Sequence, residues 1–209
     1  MSSEVRAADG RVPGRRGRET RQKLLRCTED LLETISYRDL RVIDIARAAG
    51  TSPATFYQYF PDVEAAIVEL GNVLTDASAE IVGLVRDGPW TGAGSLATSA
   101  AVVDGFFELW DGHRHLLRVV DLSTAEGNLR FQSVRTRFLS EITQALTDVV
   151  RESGQPVDAT AHAAAVISLL AHTAAHRYGY EFWGIRFDDV RDSVRRIVHW
   201  SLTGRKVAG

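Results

Sequence analysis

Within Thr51-Ser52-Pro53-Ala54-Thr55-Phe56-Tyr57-Gln58-Tyr59-Phe60, hydroxyl, amide and phenol groups are concentrated in ten residues. On a helix, Phe56 and Phe60 lie four apart and point into a core. Thr55, Tyr57, Gln58 and Tyr59 are left outward with donors and aromatic edges, the surface a short helix needs to enter a DNA major groove. His172 and His176 also stand four apart, a spacing at which two imidazoles can hold a metal from one helix face, and His113 and His115 could join them. That helix offers no acidic partner at matching spacing, so structural or ligand-facing histidines are expected, with no metal and no cofactor. Cys27 is the only cysteine, which excludes an intrachain disulfide and suits a reducing cytoplasm. Leu24, Leu25, Leu31 and Leu32 around it predict a small buried hydrophobe rather than a reactive thiol. The chain shows no phosphate-cradling Gly-rich loop, no Gly-x-Ser-x-Gly elbow and no cysteine cluster, so no catalytic residues and no enzyme are predicted.

These side chains need elements to aim them. Ile45-Ala46-Arg47-Ala48-Ala49-Gly50 reads as a short helix whose small residues permit a close crossing. Gly50 falls where the chain must leave that helix with positive φ, and Ser52 and Pro53 suit the cap and first turn of the next. A leading helix is predicted over 19–35, a second over 42–49 with Asp39 as its cap, and a recognition helix over 53–59. Asp62 is expected to cap a long helix over 62–85. Val63, Ile67, Leu70, Leu74, Ala77, Ile81 and Leu84 give it an apolar stripe, over a length of roughly 35 Å. Further helices are predicted over 95–111, 113–121, 126–153, 158–180 and 188–203, with no strand and no repeat, so the fold class is all-α. Residues 1–17 read as a disordered basic arm, 18–62 as a helix-turn-helix DNA-binding domain, and 63–209 as a helical ligand-binding and dimerisation domain.

The 209 residues carry a net charge of −2, which seems unsuited to DNA until it is divided by position. Residues 1–60 hold 11 Lys+Arg against 8 Asp+Glu, net +3, and the remainder is net −5. Arg11 to Arg18 contains four arginines and no acid. That asymmetry is what a nucleic-acid binder requires at one end. No run of 18 apolar residues exists to span a membrane, and no apolar segment follows the N-terminal arginines to make a secretory signal. A cytoplasmic protein is expected.

The first 70 residues resemble the TetR family of transcriptional regulators. The resemblance rests on the leading helix from Arg18 to Ile35, on Asp44-Ile45-Ala46-Arg47-Ala48-Ala49-Gly50, and on Ser52 followed by Thr55-Phe56-Tyr57-Gln58-Tyr59-Phe60. Within the family the Thr-Phe-Tyr-x-Tyr-Phe-Pro run is most similar to the ethionamide-resistance repressor branch. A weaker likeness to that branch continues at Phe106-Phe107-Glu108 and Val198-His199-Trp200. Two departures stand out: Leu40-Arg41 occupies a place where the family often has Ser or Thr, and Asp62-Val63 a place where it often has a phosphate-binding Lys. The basic arm and Arg41 are therefore expected to supply more of the phosphate contacts.

The resemblance implies a repressor that binds a palindromic double-stranded operator as a dimer and is released by a small lipophilic or aromatic ligand. Thr51, Ser52, Thr55 and Tyr57 then fall at the groove rim, and Pro53, Ala54, Gln58 and Tyr59 face bases. Gln58 can bond bidentately to adenine, and Pro53 and Ala54 offer apolar surface to a thymine methyl. Arg15, Arg16 and Arg18 could track the backbone or a minor groove. In the C-terminal body, Phe106 and Trp200 match positions lining the branch's lipophilic tunnel, with Phe107, Trp110, Phe138, Ile142, Leu169, His172 and His176 as further candidates. The last two helices read as a homodimer surface, with Ala164, Ala171 and Ala175 permitting close approach and Val194, Ile197 and Val198 supplying apolar area. The rival readings are a helical small-molecule carrier, a metal-dependent enzyme using the histidines, and an architectural DNA binder with no operator preference.

Overall fold

The computed structural model describes residues 14–204. Among them are ten α-helices, a 3-10 turn at Gly92–Gly94 and no strand: α1 (Arg15–Leu32), α2 (Val42–Ala48), α3 (Pro53–Tyr59), α4 (Val63–Asp87), α5 (Ser95–Gly112), α6 (Arg114–Ala125), α7 (Leu129–Glu152), α8 (Ala159–Ala175), α9 (Arg177–Phe182) and α10 (Phe187–Thr203). The chain divides into two compact units, residues up to Val73 with His115–Val134, and Leu74–Arg114 with Arg135 onward. This division differs from a boundary at 62/63, because α6 and the start of α7 belong with the helix-turn-helix. Helices α4 and α7 run through both units.

In the first unit α1 buries Leu24, Leu25, Thr28 and Leu32, a three-and-four spacing that turns one face inward. Ile45, Ala46 and Ala49 of the α2 region, Phe56 and Phe60 around α3, and Ala66, Ile67 and Leu70 of α4 are all buried as well. A buried phenylalanine contributes about 1.5–3 kcal/mol, so the two rings are the main anchors of a seven-residue helix too short to stand alone. Gly71 is set by a close crossing: a Cβ there would stand 2.4 Å from Val134 Cγ1 on α7.

In the second unit α5 presents Val102, Val103, Phe106, Phe107 and Trp110 to the interior. Phe138, Ile142 and Leu146 of α7, Val166, Ile167 and Leu170 of α8, and Val194, Val198 and Leu202 of α10 are buried with them. A polar seam runs between α5 and α10. Ser99 Oγ donates to the Arg195 carbonyl at 2.9 Å, the Arg195 guanidinium meets Asp104 at 2.5–2.6 Å, and Ser95 Oγ lies 3.0 Å from His199 Nε2. Gln155 Nε2 donates to the carbonyls of Ser201 and Leu202, which satisfies groups orphaned at the end of α10.

Several expectations are corrected. The first helix starts at Arg15, inside the expected arm, and ends at Leu32 rather than 35. Residues 1–13 of that arm lie outside the described residues. Asp39 does not cap α2: Arg41 stands at that position without a side-chain cap bond. Cys27 is half-buried. The expected 158–180 helix stops at Ala175, and the chain turns at His176 into the separate α9. The turn carries Arg177 to an ion pair with Asp111 and sets its guanidinium 4.9 Å from the centre of the Phe187 ring.

Candidate DNA-reading surface and helical body

Between α2 and α3 the chain closes with the bonds expected of a glycine-terminated helix. Thr51 N–H donates to the Ala46 carbonyl at 2.9 Å and Gly50 N–H to that of Arg47 at 3.0 Å, with Gly50 at φ +63°. Ser52 Oγ then accepts from Thr55 N–H at 3.2 Å and lies 3.0 Å from the Thr55 hydroxyl, and Pro53 takes the first helical position. Phe56 is 0% and Phe60 2% exposed, their ring centres 5.5 Å apart. Burying those two rings fixes the opposite face outward: Ser52, Pro53, Ala54, Tyr57 and Gln58 are exposed, while Thr51, Thr55 and Tyr59 are half-buried. Tyr57 is 53% exposed and stands edge-on to Phe56, so its phenol is held at a defined angle in solvent. Arg41 is exposed before α2, and Arg15, Arg16 and Arg18 are exposed on the first turn of α1 rather than on an extended arm.

Two groups that orient this head have no signature in the sequence. Arg21 is nearly buried, meets Glu69 at 3.1 Å and lies 5.0 Å from the centre of the Phe60 ring, tying α1 to the residue that ends α3 and to α4. Glu64, in the first turn of α4, gathers three partners from two other segments: Asn128 Nδ2 at 2.9 Å, Arg130 Nη1 at 2.8 Å and the Tyr37 hydroxyl at 3.4 Å. Burial first, then the Glu64 carboxylate, pushes the Tyr37 phenol up from its ordinary pKa, keeping it neutral as a donor. The partners lie up to 66 positions from Glu64, so no periodicity announces them. In contrast, the Asp62 cap was legible, and its Oδ1 accepts from Ala65 N–H at 2.6 Å.

The ligand candidates separate into two sets. Phe106, Phe107, Trp110, Phe138 and Ile142 are buried; Phe106 stacks on Trp110 with ring centres 5.9 Å apart, and Phe107 packs on Phe187 at 5.4 Å. Leu169 is half-buried. His172, His176 and Trp200 lie on the surface and do not join that cluster, Trp200 being 45% exposed. The two histidine rings stack at 4.1 Å, and His176 Nδ1 bonds to the His172 carbonyl at 3.0 Å, so the rings lie parallel rather than converging on a common point. Among the described residues no group of three or more His, Cys, Asp or Glu is arranged to hold a metal. Nor is any helix there long and apolar enough to cross a membrane. Of the proposed dimer residues, Ala171, Val194 and Val198 are buried within the unit itself, whereas Ala164, Ala175 and Ile197 remain exposed.

A buried-anchor recognition helix after a glycine turn, in a chain that also carries a second all-helical unit, defines a helix-turn-helix transcriptional regulator. The chain belongs to the TetR family: residues 24–69 match the model for bacterial regulatory proteins of the tetR family, and residues 81–209 that for the tetracyclin repressor-like C-terminal domain. It is 37% identical over 70 residues to the HTH-type transcriptional regulator EthR of Mycolicibacterium smegmatis, spanning 33% of this chain and 32% of that protein. It is 27% identical over 158 residues to EthR of Mycobacterium tuberculosis H37Rv, spanning 73% and 72%. Its fold is similar to that of the transcriptional regulator FadR from Bacillus subtilis in complex with stearoyl-CoA, with a TM-score of 0.64 at 18% identity over 88% of this chain and 98% of that one.

Proposed function

We propose that this regulator is a cytoplasmic repressor that binds a palindromic operator as a homodimer and is released by a small lipophilic ligand. The observation that carries the reading is the division of α3: Phe56, with Phe60 just after the helix, is sealed in the core while Pro53, Ala54, Tyr57 and Gln58 stand in solvent. Gln58 and the apolar pair Pro53 and Ala54 serve as the base-facing set. Ser52, Thr55, Tyr57, Arg41 and the arginines of the first turn of α1 meet phosphates.

For the dimer, α8 offers Ala161, Ala164, Ala165, Ser168, His172 and Ala175 as one exposed stripe of mostly small residues, and α10 offers Ser193, Ile197 and Trp200. Small residues on one helix and apolar ones on the next suit a two-fold helical interface, in which each surface meets its own copy. His172, His176 and Trp200 are thereby assigned to the interface. The ligand is assigned to the buried aromatic set around Phe106, Trp110 and Phe138, and its lipophilic class is supported by the likeness to FadR bound to stearoyl-CoA. Because α4 and α7 run through both units, a ligand that tilts them acts on the head, and operator DNA must weaken ligand binding by the same factor.

Fluorescence anisotropy of the purified protein with its own upstream DNA tests this. Nanomolar binding that weakens steeply with salt and discriminates against scrambled duplex is expected. Equal binding to both duplexes would make it an architectural protein, and no binding would favour a carrier.

A further inference from the structure

We infer that the first unit carries a second ligand site, a groove between the α1–α2 connector and α6 that takes a small organic oxyanion with an apolar body. The groove has a volume of about 470 Å³ and is lined by Leu32 to Arg38 on one wall and by His115, Arg118, Val119, Leu122, Ser123 and Glu126 of α6 on the other. Every lining residue belongs to the first unit, so the site is separate from the aromatic body. Its volume is within the range of pockets that hold small molecules.

Two observations give the groove a ligand chemistry. Ser123 lines it, is only 4% exposed, and its hydroxyl has no hydrogen-bond partner among the described residues. A serine that deep in a helix normally returns its hydroxyl to the carbonyl one turn back; here the donor is left to whatever fills the groove. Arg118 is the second: its guanidinium has no ion-pair or hydrogen-bond partner among the described residues. Arg38, by contrast, is held by Glu126, and that pair cancels at one end of the groove. A planar fork and a free hydroxyl lining the same groove match a carboxylate, sulfonate or phosphate. Ile35, Val119 and Leu122 supply apolar contact for the rest of the molecule, and Leu122 is 56% exposed. Glu33, on the opposite wall, is the lining carboxylate that no arginine offsets among the described residues, and it opposes an anion. Tyr37 and Arg38 also lead into α2, so an occupant braces the connector that precedes the DNA-reading helices; that consequence rests on the function proposed above, whereas the binding does not.

The test uses the full-length protein without DNA and a matched pair of fluorescent probes, 8-anilinonaphthalene-1-sulfonate and the uncharged N-phenyl-1-naphthylamine. Arg118→Glu is expected to weaken the sulfonate at least tenfold and to change the neutral probe by less than twofold. Ser123→Ala is expected to weaken the sulfonate several-fold, and Glu33→Gln to tighten it. Arg118 is exposed, so its variants should keep the parent melting temperature. An unchanged sulfonate titration in Arg118→Glu overturns the inference, and so does equal weakening of both probes, which would mean that no oxyanion is being recognised. Loss of operator binding with intact probe binding would refute the functional reading alone.

Discussion

Exchanging the charges around Glu64 tests whether its cluster holds the head together. Asn128 serves two purposes: its Oδ1 accepts from Arg130 N–H at 3.0 Å, capping α7, and its Nδ2 donates to Glu64 at 2.9 Å. Asn128→Asp keeps the cap but turns the donor into a carboxylate oxygen facing Glu64. Glu64→Gln removes the charge and leaves a single acceptor oxygen, so its amide donor must face either the Arg130 guanidinium or Asn128 Nδ2. The Glu64 side chain is 24% exposed and that of Arg130 46%, so their pair is screened and is worth no more than about 1 kcal/mol. With the Asn128 and Tyr37 bonds added, Glu64→Gln should cost about 1–2 kcal/mol and Asn128→Asp about 1–3 kcal/mol. At this chain length the former lowers the melting temperature by about 2–8 °C. In the double variant the amide introduced at position 64 can donate to the carboxylate introduced at position 128, so about 1 kcal/mol or more should return relative to the sum of the singles. Urea unfolding at fixed protein concentration, followed by circular dichroism, measures all four species, the concentration being fixed because any self-association would add to apparent stability. Additivity within about 0.3 kcal/mol would show that the two side chains do not interact in solution.

Four further outcomes are expected. Gly71→Ala, with its Cβ driven into Val134, should destabilise by about 1–3 kcal/mol in the same unfolding assay, and Val134→Ala in the same chain should recover part of that loss. His199 is buried with Nδ1 unsatisfied, and burial pushes its pKa below the ordinary value of about 6.5. The fold therefore favours the neutral ring: this contribution is whole above pH about 6.5 and is lost as pH falls through the lower folded value. The urea midpoint of the parent should thus drop more between pH 7 and 5 than that of His199→Gln. Gln58→Ala should leave the melting temperature unchanged and cost about 1–3 kcal/mol in operator affinity by anisotropy; an unchanged affinity would remove Gln58 from the base-facing set. Trp200→Glu and Ile197→Glu, both at exposed positions, should shift the protein toward monomer in sedimentation velocity without changing its helical content.

The helix-turn-helix was legible because its determinants are local. Gly50, Ser52, Pro53 and the Phe56–Phe60 pair act within ten residues or so, and each was found in the role its type implies. The body was legible only as helices. The family resemblance grouped Trp200, which is exposed, with Phe106, which is sealed, and an aromatic at helical spacing has the same signature in a core as on a surface, so the pattern could not separate them. The end of α8 was missed for a related reason: Arg177 leaves the helical path for Asp111 and Phe187, partners on other helices that no window around His176 contains.

The amino-acid order by itself determined that this chain is all-helical, that residues 42–60 form a head whose polar side must face outward, and that its basic charge is gathered at the same end. Glycine's freedom at positive φ, capping by short polar side chains and the 3.6-residue period all operate over neighbouring residues. Tertiary structure alone decided that α6 joins the head rather than the body, that Glu64 collects Tyr37, Asn128 and Arg130, and that Ser123 and Arg118 face an open groove. Each of those depends on which segments distant in sequence are brought within contact distance, about 4 Å, and that is fixed by packing the whole unit.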